Sequence, residues 1–204
     1  MKFEHGVYLV TEPSGDLAAI VANAVAGGVD LVQVRDKGAS TGALIEIVQD
    51  LRRRVAVPIV VNDDLDAAQH AAGVHVGVDD LPPSKARRVL GPSAIVGWSV
   101  NDPGQLDEVE EMRACDYVAA SPVWATHTKP DHQPPLGLEG IRAIAGRTDL
   151  PVVAIGGIDV ARAAGAVAAG ADAVAVVTAI TRADDPRRAV ADLVEAVREG
   201  RGRR

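Results

Sequence analysis

Aromatic residues are nearly missing from this chain: two Trp, two Tyr and one Phe among 204 residues, or 2%. A core built without rings must come from Val, Ala, Ile and Leu, a composition that suits parallel strands covered on both faces. Cysteine is represented only by Cys115, which excludes a disulfide framework and a thiolate metal cluster. No apolar run approaches the roughly 20 residues that cross a bilayer, and the N-terminal MKFEHGVYLV has no secretory apolar region, so a cytoplasmic location and no membrane partner are expected. The net charge of −7 argues against a nucleic-acid partner. The one basic run, GRGRR at the C-terminus, reads as a disordered tail over 199–204. The five histidines show no zinc-ligand spacing, no Ser-His-Asp grouping is apparent, and Walker and dinucleotide fingerprints are absent.

Eight short Val/Ile-rich runs, without strict alternation, fit strands buried on both faces. They lie at 7–10, 31–35, 58–62, 74–77, 94–98, 116–120, 151–155 and 173–177. Helical patterns fall between and after them, at 16–27, 41–55, 64–72, 83–90, 102–113, 138–147, 159–169 and 185–199. Pro58 and Pro151 open strands, where a missing N–H costs least, and Asp102-Pro103 resembles an N-cap followed by Pro at the first helical position. Eight alternating β and α units predict one α/β domain over 1–198, a (β/α)8 TIM barrel near the short limit of that fold. An open doubly wound sheet is the competing architecture, but its Gly-rich turn after the first strand is replaced by Thr11-Glu12-Pro13-Ser14-Gly15. The non-periodic segment 121–137 contains four prolines and reads as a functional loop over the barrel mouth.

In such a barrel the C-terminal ends of all strands open on one face, so polar groups distant in sequence converge there. Asp63 and Asp64 follow the third strand and Asp80 the fourth, a pattern that suits Mg²⁺ held by two carboxylates with water and substrate oxygens. Each acid would also serve as a helix cap. Arg35 and Lys37 after strand 2, and Lys129 in the long loop, would surround a diphosphate and stabilise its departure. Only four lysines stand against 17 arginines, yet two of the four are Lys37 and Lys129. Gly156-Gly157 and Val177-Thr178, after strands 7 and 8, match the usual phosphate position of these barrels, although a Gly pair also serves turns that need positive φ. Ser99, Thr126 and Thr128 would supply neutral hydrogen bonds. His75 reads as a hydrogen-bonded lumen residue and Cys115 as a small hydrophobe.

The ordered motifs YLVTE (8–12), VQVRDK (32–37), VNDDLDAA (61–68), GVHVGVDDLP (73–82), DYVAASPVWATHTK (116–129), VVAIGGI (152–158) and GADAVAVVTAI (170–180) resemble the thiamine-phosphate synthase family over nearly the whole chain. The resemblance implies a (β/α)8 transferase that joins hydroxymethylpyrimidine diphosphate to thiazole phosphate, or its carboxylated form, and releases diphosphate. It implies that Gln33, Arg35, Lys37, Asn62, Ser99 and Lys129 hold the pyrimidine diphosphate. Asp63 and Asp80 would bind Mg²⁺; Thr126, Thr128, Gly157, Val177 and Thr178 would receive the thiazole phosphate. The implied chemistry is dissociative: diphosphate leaves, then the thiazole nitrogen attacks the pyrimidine methylene cation. Its partners are small-molecule substrates, with a homo-oligomer left open. Departures from the family pattern are Ser121 for the usual Gly before Pro122, Val78 for the commoner Gln, Thr178 for Ser, a shorter segment between strand 3 and Asp80, and an abbreviated first helix. Thiazole tautomerases of the same superfamily compete, but they tend to lose the Asn-Asp pair, the second Asp and the Thr-x-Thr-Lys stretch kept here. A non-catalytic barrel that binds phosphorylated ligands is the alternative from another class.

Overall fold

In a computed structural model that describes residues 2–125 and 134–204, eight parallel strands close into a barrel in sequence order. The strands are β1 (Val7–Val10), β2 (Leu31–Val34), β3 (Ile59–Asn62), β4 (Gly73–Val76), β5 (Ile95–Val100), β6 (Tyr117–Ala120), β7 (Val152–Ile155) and β8 (Ala173–Val176). β8 pairs with β1 at Val7↔Val174, which closes the ring and excludes the open sheet. The helices are α1 (Leu17–Gly27), α2 (Thr41–Arg54), α3 (Leu65–Ala68), α4 (Pro83–Leu90), α5 (Val109–Ala114), α6 (Gly137–Ala145), α7 (Val160–Ala168), α8 (Thr178–Thr181) and α9 (Pro186–Arg201). No helix among the described residues is long and apolar enough to cross a membrane.

Side chains on a strand alternate between faces, so each four-residue strand divides its residues between helix shell and lumen. Val7 and Leu9, Val32 and Val34, and Val174 and Val176 join the large outer cluster under the helices. Tyr8, Val10, Leu31, Val60, Tyr117, Ala119, Val153, Ala173 and Ala175 form a separate inner cluster. Three of the five aromatics, Phe3, Tyr8 and Tyr117, lie in this inner cluster. The Phe3 and Tyr8 rings meet Tyr117 edge-on, at centroid distances of 6.1 and 5.9 Å. Small neighbours make room for them. Gly97 on β5 is the register partner of Tyr117, and a Cβ there would fall inside the Tyr117 ring.

The N-terminal face is tied by acids that precede strands. Asp30 accepts from the Gly6 amide (2.6 Å), Asp116 from Val96 (2.8 Å) and Asp172 from Val152 (2.9 Å). The C-terminal segment differs from the expected tail, because α9 continues through Arg201 and the arginines find acceptors. Arg201 donates to the carbonyls of Glu4 (2.7 Å) and Phe3 (3.0 Å), and Arg204 to that of Val167 (2.8 Å). Guanidinium groups near a helix C-terminus meet carbonyls at the ends of neighbouring elements, so the segment is fastened there.

Two helices depart most from the expected spans, and α8 lies in none of them. α3 stops at Ala68 because the chain is already returning to the sheet, with the Ala72 amide donating to the Ile59 carbonyl (2.7 Å). The expected 102–113 helix is split into a 3₁₀ turn, Pro103–Asp107, and α5. Its start is as expected: Asp102 accepts from Gly104 (2.7 Å) with Pro103 at the first position, and Gln105 caps in return. Gly97→Ala should lower unfolding free energy by about 2 kcal/mol, because an added methyl must displace a buried ring. A urea midpoint equal to wild type would contradict this packing.

Candidate active site

The C-terminal ends of the strands surround one cavity. It is lined on one side by Gln33, Arg35, Lys37, Asn62, Asp63 and Asp80, and on the other by Gly156, Gly157, Val177 and Thr178. His75, Ser99 and Ser121 lie along it as well. Lys129, Thr126 and Thr128 lie outside the described residues. The acids at 63 and 80 therefore share a pocket with the cations at 35 and 37.

The acidic side is organised around one backbone amide. Gly77, just past β4, donates its N–H to Asp80 Oδ2 (3.1 Å) and to Asp63 Oδ1 (3.3 Å). A Cβ at Gly77 would collide with the Asp80 carboxylate, so a side chain there would displace that carboxylate from its present position. Asn62 Nδ2 also donates to Asp63 Oδ2. Asp63 holds a left-handed backbone, φ 62°, the one such non-glycine residue described. Asp64, next in the chain, instead caps α3 by accepting from Ala67 (2.8 Å) and also accepts from the Thr41 hydroxyl (2.7 Å). The capping alternative thus holds for Asp64, which is removed from the expected cation set. It fails for Asp80, since α4 begins at Pro83 with Pro82 as its N-cap and no side-chain cap.

The Asp63 carboxyl is pushed up to about 6, first by burial and then by the Asp80 carboxylate beside it; Lys37 and the Gly77 amide offset only part of this. Two hard oxygen donors with excess negative charge fit a cation of the Mg²⁺ type, which prefers one or two carboxylates plus water and substrate oxygens. Among the described residues no cluster of three or more His, Cys, Asp or Glu forms a protein-only cage. Arg35 and Lys37 form no ion pair among the described residues; the Arg35 backbone is fixed by donation from its amide to Thr11 Oγ1 (3.0 Å).

The opposite side is built from backbone. Gly156 (φ 100°) and Gly157 (φ 64°) both require the left-handed region, and the β6 loop presses on them through Pro122 and Trp124. The glycine pair is thus demanded by the turn as well as by any ligand. Among the described residues, the amides of Gly157, Thr178 and Ala179 have no intramolecular acceptor. Two side chains that sequence reasoning missed hold these segments. Arg162 donates to the Gly157 carbonyl (2.6 Å) and lies 5.2 Å from the Trp124 ring centroid. Glu12, after β1, accepts from Thr181 Oγ1 (2.7 Å) and from both Arg182 nitrogens (2.9 Å each), and Arg182 holds its carboxyl below the usual range. Glu12 lies within the YLVTE motif, but its role could not be read there because its contacts join residues 169 and 170 positions apart. His75 is buried in the lumen, hydrogen-bonded as expected to Tyr117 and Ser99. Cys115 is buried with its thiol pushed up to about 12, chiefly by burial, which agrees with a packing role.

A closed parallel barrel with cations and a carboxylate pair on one rim and open amides on the other defines a (β/α)8 enzyme whose site lies at the strand C-termini. Residues 7–180 match the family model described as thiamine monophosphate synthase. The thiamine-phosphate synthase of Natronomonas pharaonis is 46% identical over 208 residues, covering 97% of each chain. That of Chloroflexus aurantiacus is 44% identical, covering 86% of this chain and 82% of its own. The solved thiamine phosphate pyrophosphorylase from Pyrococcus furiosus superposes with a TM-score of 0.85 at 32% identity, covering 97% and 98% of the two chains. The chain belongs to the thiamine monophosphate synthase family.

An unfavourable native charge has a measurable consequence. Asp63 binds its proton more tightly when folded than the ordinary carboxyl does, so its ionisation destabilises the native state as pH rises through about 4 to 6. Asp63→Asn without divalent cations should therefore be more stable at pH 7 by about 1–2 kcal/mol, after allowance for its partial exposure. The gap should close as pH falls to about 4. Melting curves showing a less stable variant at pH 7 would refute this electrostatic account.

Proposed function

We propose that this chain joins 4-amino-2-methyl-5-hydroxymethylpyrimidine diphosphate to 4-methyl-5-(2-phosphoethyl)thiazole, giving thiamine phosphate and diphosphate. The observation that carries the reading is the juxtaposition in one cavity of the Asp63–Gly77–Asp80 arrangement, the cations Arg35 and Lys37, and the amides of Gly157 and Thr178, which have no acceptor among the described residues. A simple phosphate-binding barrel has no need for a strained, mutually repelling carboxylate pair. Family membership and the names of the relatives support the same reaction.

In this reading Gln33, Asn62 and Ser99 orient the pyrimidine while Arg35, Lys37 and Lys129 surround its diphosphate. Asp63 and Asp80 hold Mg²⁺, which when bound neutralises part of the diphosphate charge. The methylene carbon–oxygen bond breaks with its electron pair leaving on the diphosphate, where charge develops and the fixed cations act most strongly; one such contact is worth about 10²–10³ in rate. The electron-rich aminopyrimidine stabilises the cation left behind. The thiazole nitrogen then forms the new carbon–nitrogen bond with its lone pair. Thr126 and Thr128 orient the ring, and Gly157, Val177 and Thr178 hold its phosphate through backbone amides and the Thr178 hydroxyl. No protein nucleophile enters, so the barrel contributes orientation and charge stabilisation. Ser121 lines the cavity where the second substrate would enter and would set how much thiazole fits. The setting proposed is cytoplasmic.

Incubation with both phosphorylated precursors and Mg²⁺ should yield thiamine phosphate and diphosphate in equal amounts, and a chelator should abolish both. Turnover that persists in chelator, or thiazole isomerisation without coupling, would favour the tautomerase alternative. Because Glu12 fixes the short helix α8 through Thr181 and Arg182, Glu12→Gln should raise KM for thiazole phosphate about fivefold and leave KM for the pyrimidine diphosphate unchanged. Equal changes in both constants would assign Glu12 to general stability instead.

A further inference from the structure

At the floor of the cavity, the lumen contains a continuous hydrogen-bonded chain of side chains from five strands. Gln33 Nε2 on β2 donates to Tyr8 Oη on β1 at 2.6 Å. Tyr8 Oη lies 3.0 Å from Tyr117 Oη on β6. Tyr117 Oη lies 3.0 Å from His75 Nδ1 on β4, and His75 Nε2 lies 2.9 Å from Ser99 Oγ on β5. Gln33, Tyr8, His75 and Ser99 all line the cavity, whereas Tyr117 is fully buried. Leu31, Val60, Val153, Ala173 and Ala175 supply apolar packing around the two phenols.

The direction of every bond follows from its first donor. A carboxamide nitrogen can only donate, so Tyr8 Oη accepts from Gln33 and directs its single proton at Tyr117. Tyr117 Oη, having accepted, directs its own proton at His75 Nδ1. That nitrogen must then carry its lone pair, the ring proton lies on Nε2, and Ser99 Oγ accepts it. The Ser99 hydroxyl proton is left to point into the cavity. Burial pushes both phenols upward, so each keeps the one proton this ordering needs. The opposite ordering would require Gln33 to present its carbonyl to Tyr8, and an imidazolium would leave the Tyr117 proton without an acceptor in an apolar lumen. No buried side-chain polar atom of the described residues lacks a partner in the observed arrangement.

We propose that Tyr8, Tyr117 and His75 are positioning residues that fix the proton order of the lumen chain, so that Ser99 faces the cavity as an obligate hydrogen-bond donor to the aminopyrimidine. Preorganisation of this kind removes the choice a free hydroxyl has between donating and accepting. It also explains why an apolar barrel interior retains two phenols and an imidazole at mid-depth, and why Gly97 leaves space for the Tyr117 ring. The kinetic part rests on the coupling reaction proposed above; the tautomer does not.

Two measurements test it. In the ligand-free protein at neutral pH, two-bond ¹⁵N–¹H correlation spectra of the imidazoles, with His75 assigned by loss of its signals in His75→Asn, should show the Nε2–H tautomer. An Nδ1–H tautomer or an imidazolium at that position would overturn the proposal, and this needs neither a variant at the tyrosines nor any activity. Tyr117→Phe, and independently Tyr8→Phe, should lower kcat/KM for the pyrimidine diphosphate about tenfold while KM for thiazole phosphate changes less than twofold. In a Ser99→Ala background the same substitutions should have almost no further effect on kcat/KM, since they act through Ser99. Losses that remain tenfold in that background, or that fall equally on both substrates, would reduce the tyrosines to structural support. If wild type shows the expected tautomer but no coupling, the functional reading fails while the proton order stands.

Discussion

Closure of eight parallel strands, most of them four residues long, is the constraint from which the remaining features follow. Strand alternation gives each strand about two residues for the lumen and two for the helix shell. A lumen of that size cannot be filled by branched aliphatics alone when it must also open to a substrate at one end. It is therefore layered, with Phe3, Leu31, Val60 and Val153 in its apolar packing and Gln33, His75 and Ser99 nearer the mouth. The aromatic scarcity of the whole chain makes this placement informative, since most of the rings are spent on the interior of the barrel.

The site trades stability for charge placement. Asp63 combines a left-handed backbone, burial and repulsion from Asp80, three unfavourable features that structural ion pairs avoid. Contrast Asp116, which pairs with Arg87 at 2.6 Å and also accepts from the Val96 amide. One acid is fully compensated and holds the barrel's N-terminal face together. The other is left undercompensated at the C-terminal face, where a substrate complex can supply what is missing. Opposite faces of the barrel thus carry opposite electrostatic policies.

Much of this was legible in the sequence, for physical reasons. Strand positions followed from Val/Ile runs bounded by Pro and Gly, and the barrel from their number. The grouping of Arg35, Lys37, Asn62, Asp63 and Asp80 followed from the rule that strand C-termini converge. What sequence left open was decided by local backbone. Asp63 and Asp64 are equivalent as letters, and only the φ of 62° at Asp63 sends one carboxylate to the cavity and leaves the other to cap α3. Gly77 lies within the GVHVGVDDLP motif, but the letters do not show that two carboxylates share its amide. Tyr8, Tyr117 and His75 occupy three separate strands, so no spacing could reveal that they touch. The C-terminal arginines looked like a solvated tail because composition cannot show that carbonyls of Phe3, Glu4 and Val167 lie within reach.

The seam between β1 and β8 is fastened at both rims, by Glu12 with Thr181 and Arg182 above and by Arg201 with Phe3 and Glu4 below. These bonds span between 169 and 198 positions of chain, so they form only when the last strand and helix reach the first. A ribosome-bound or C-terminally shortened polypeptide lacks the α8 half of the pocket until that meeting occurs. Occupancy of the pocket by an anionic ligand would thereby report, and by mass action reward, completion of the entire ring rather than of any local piece.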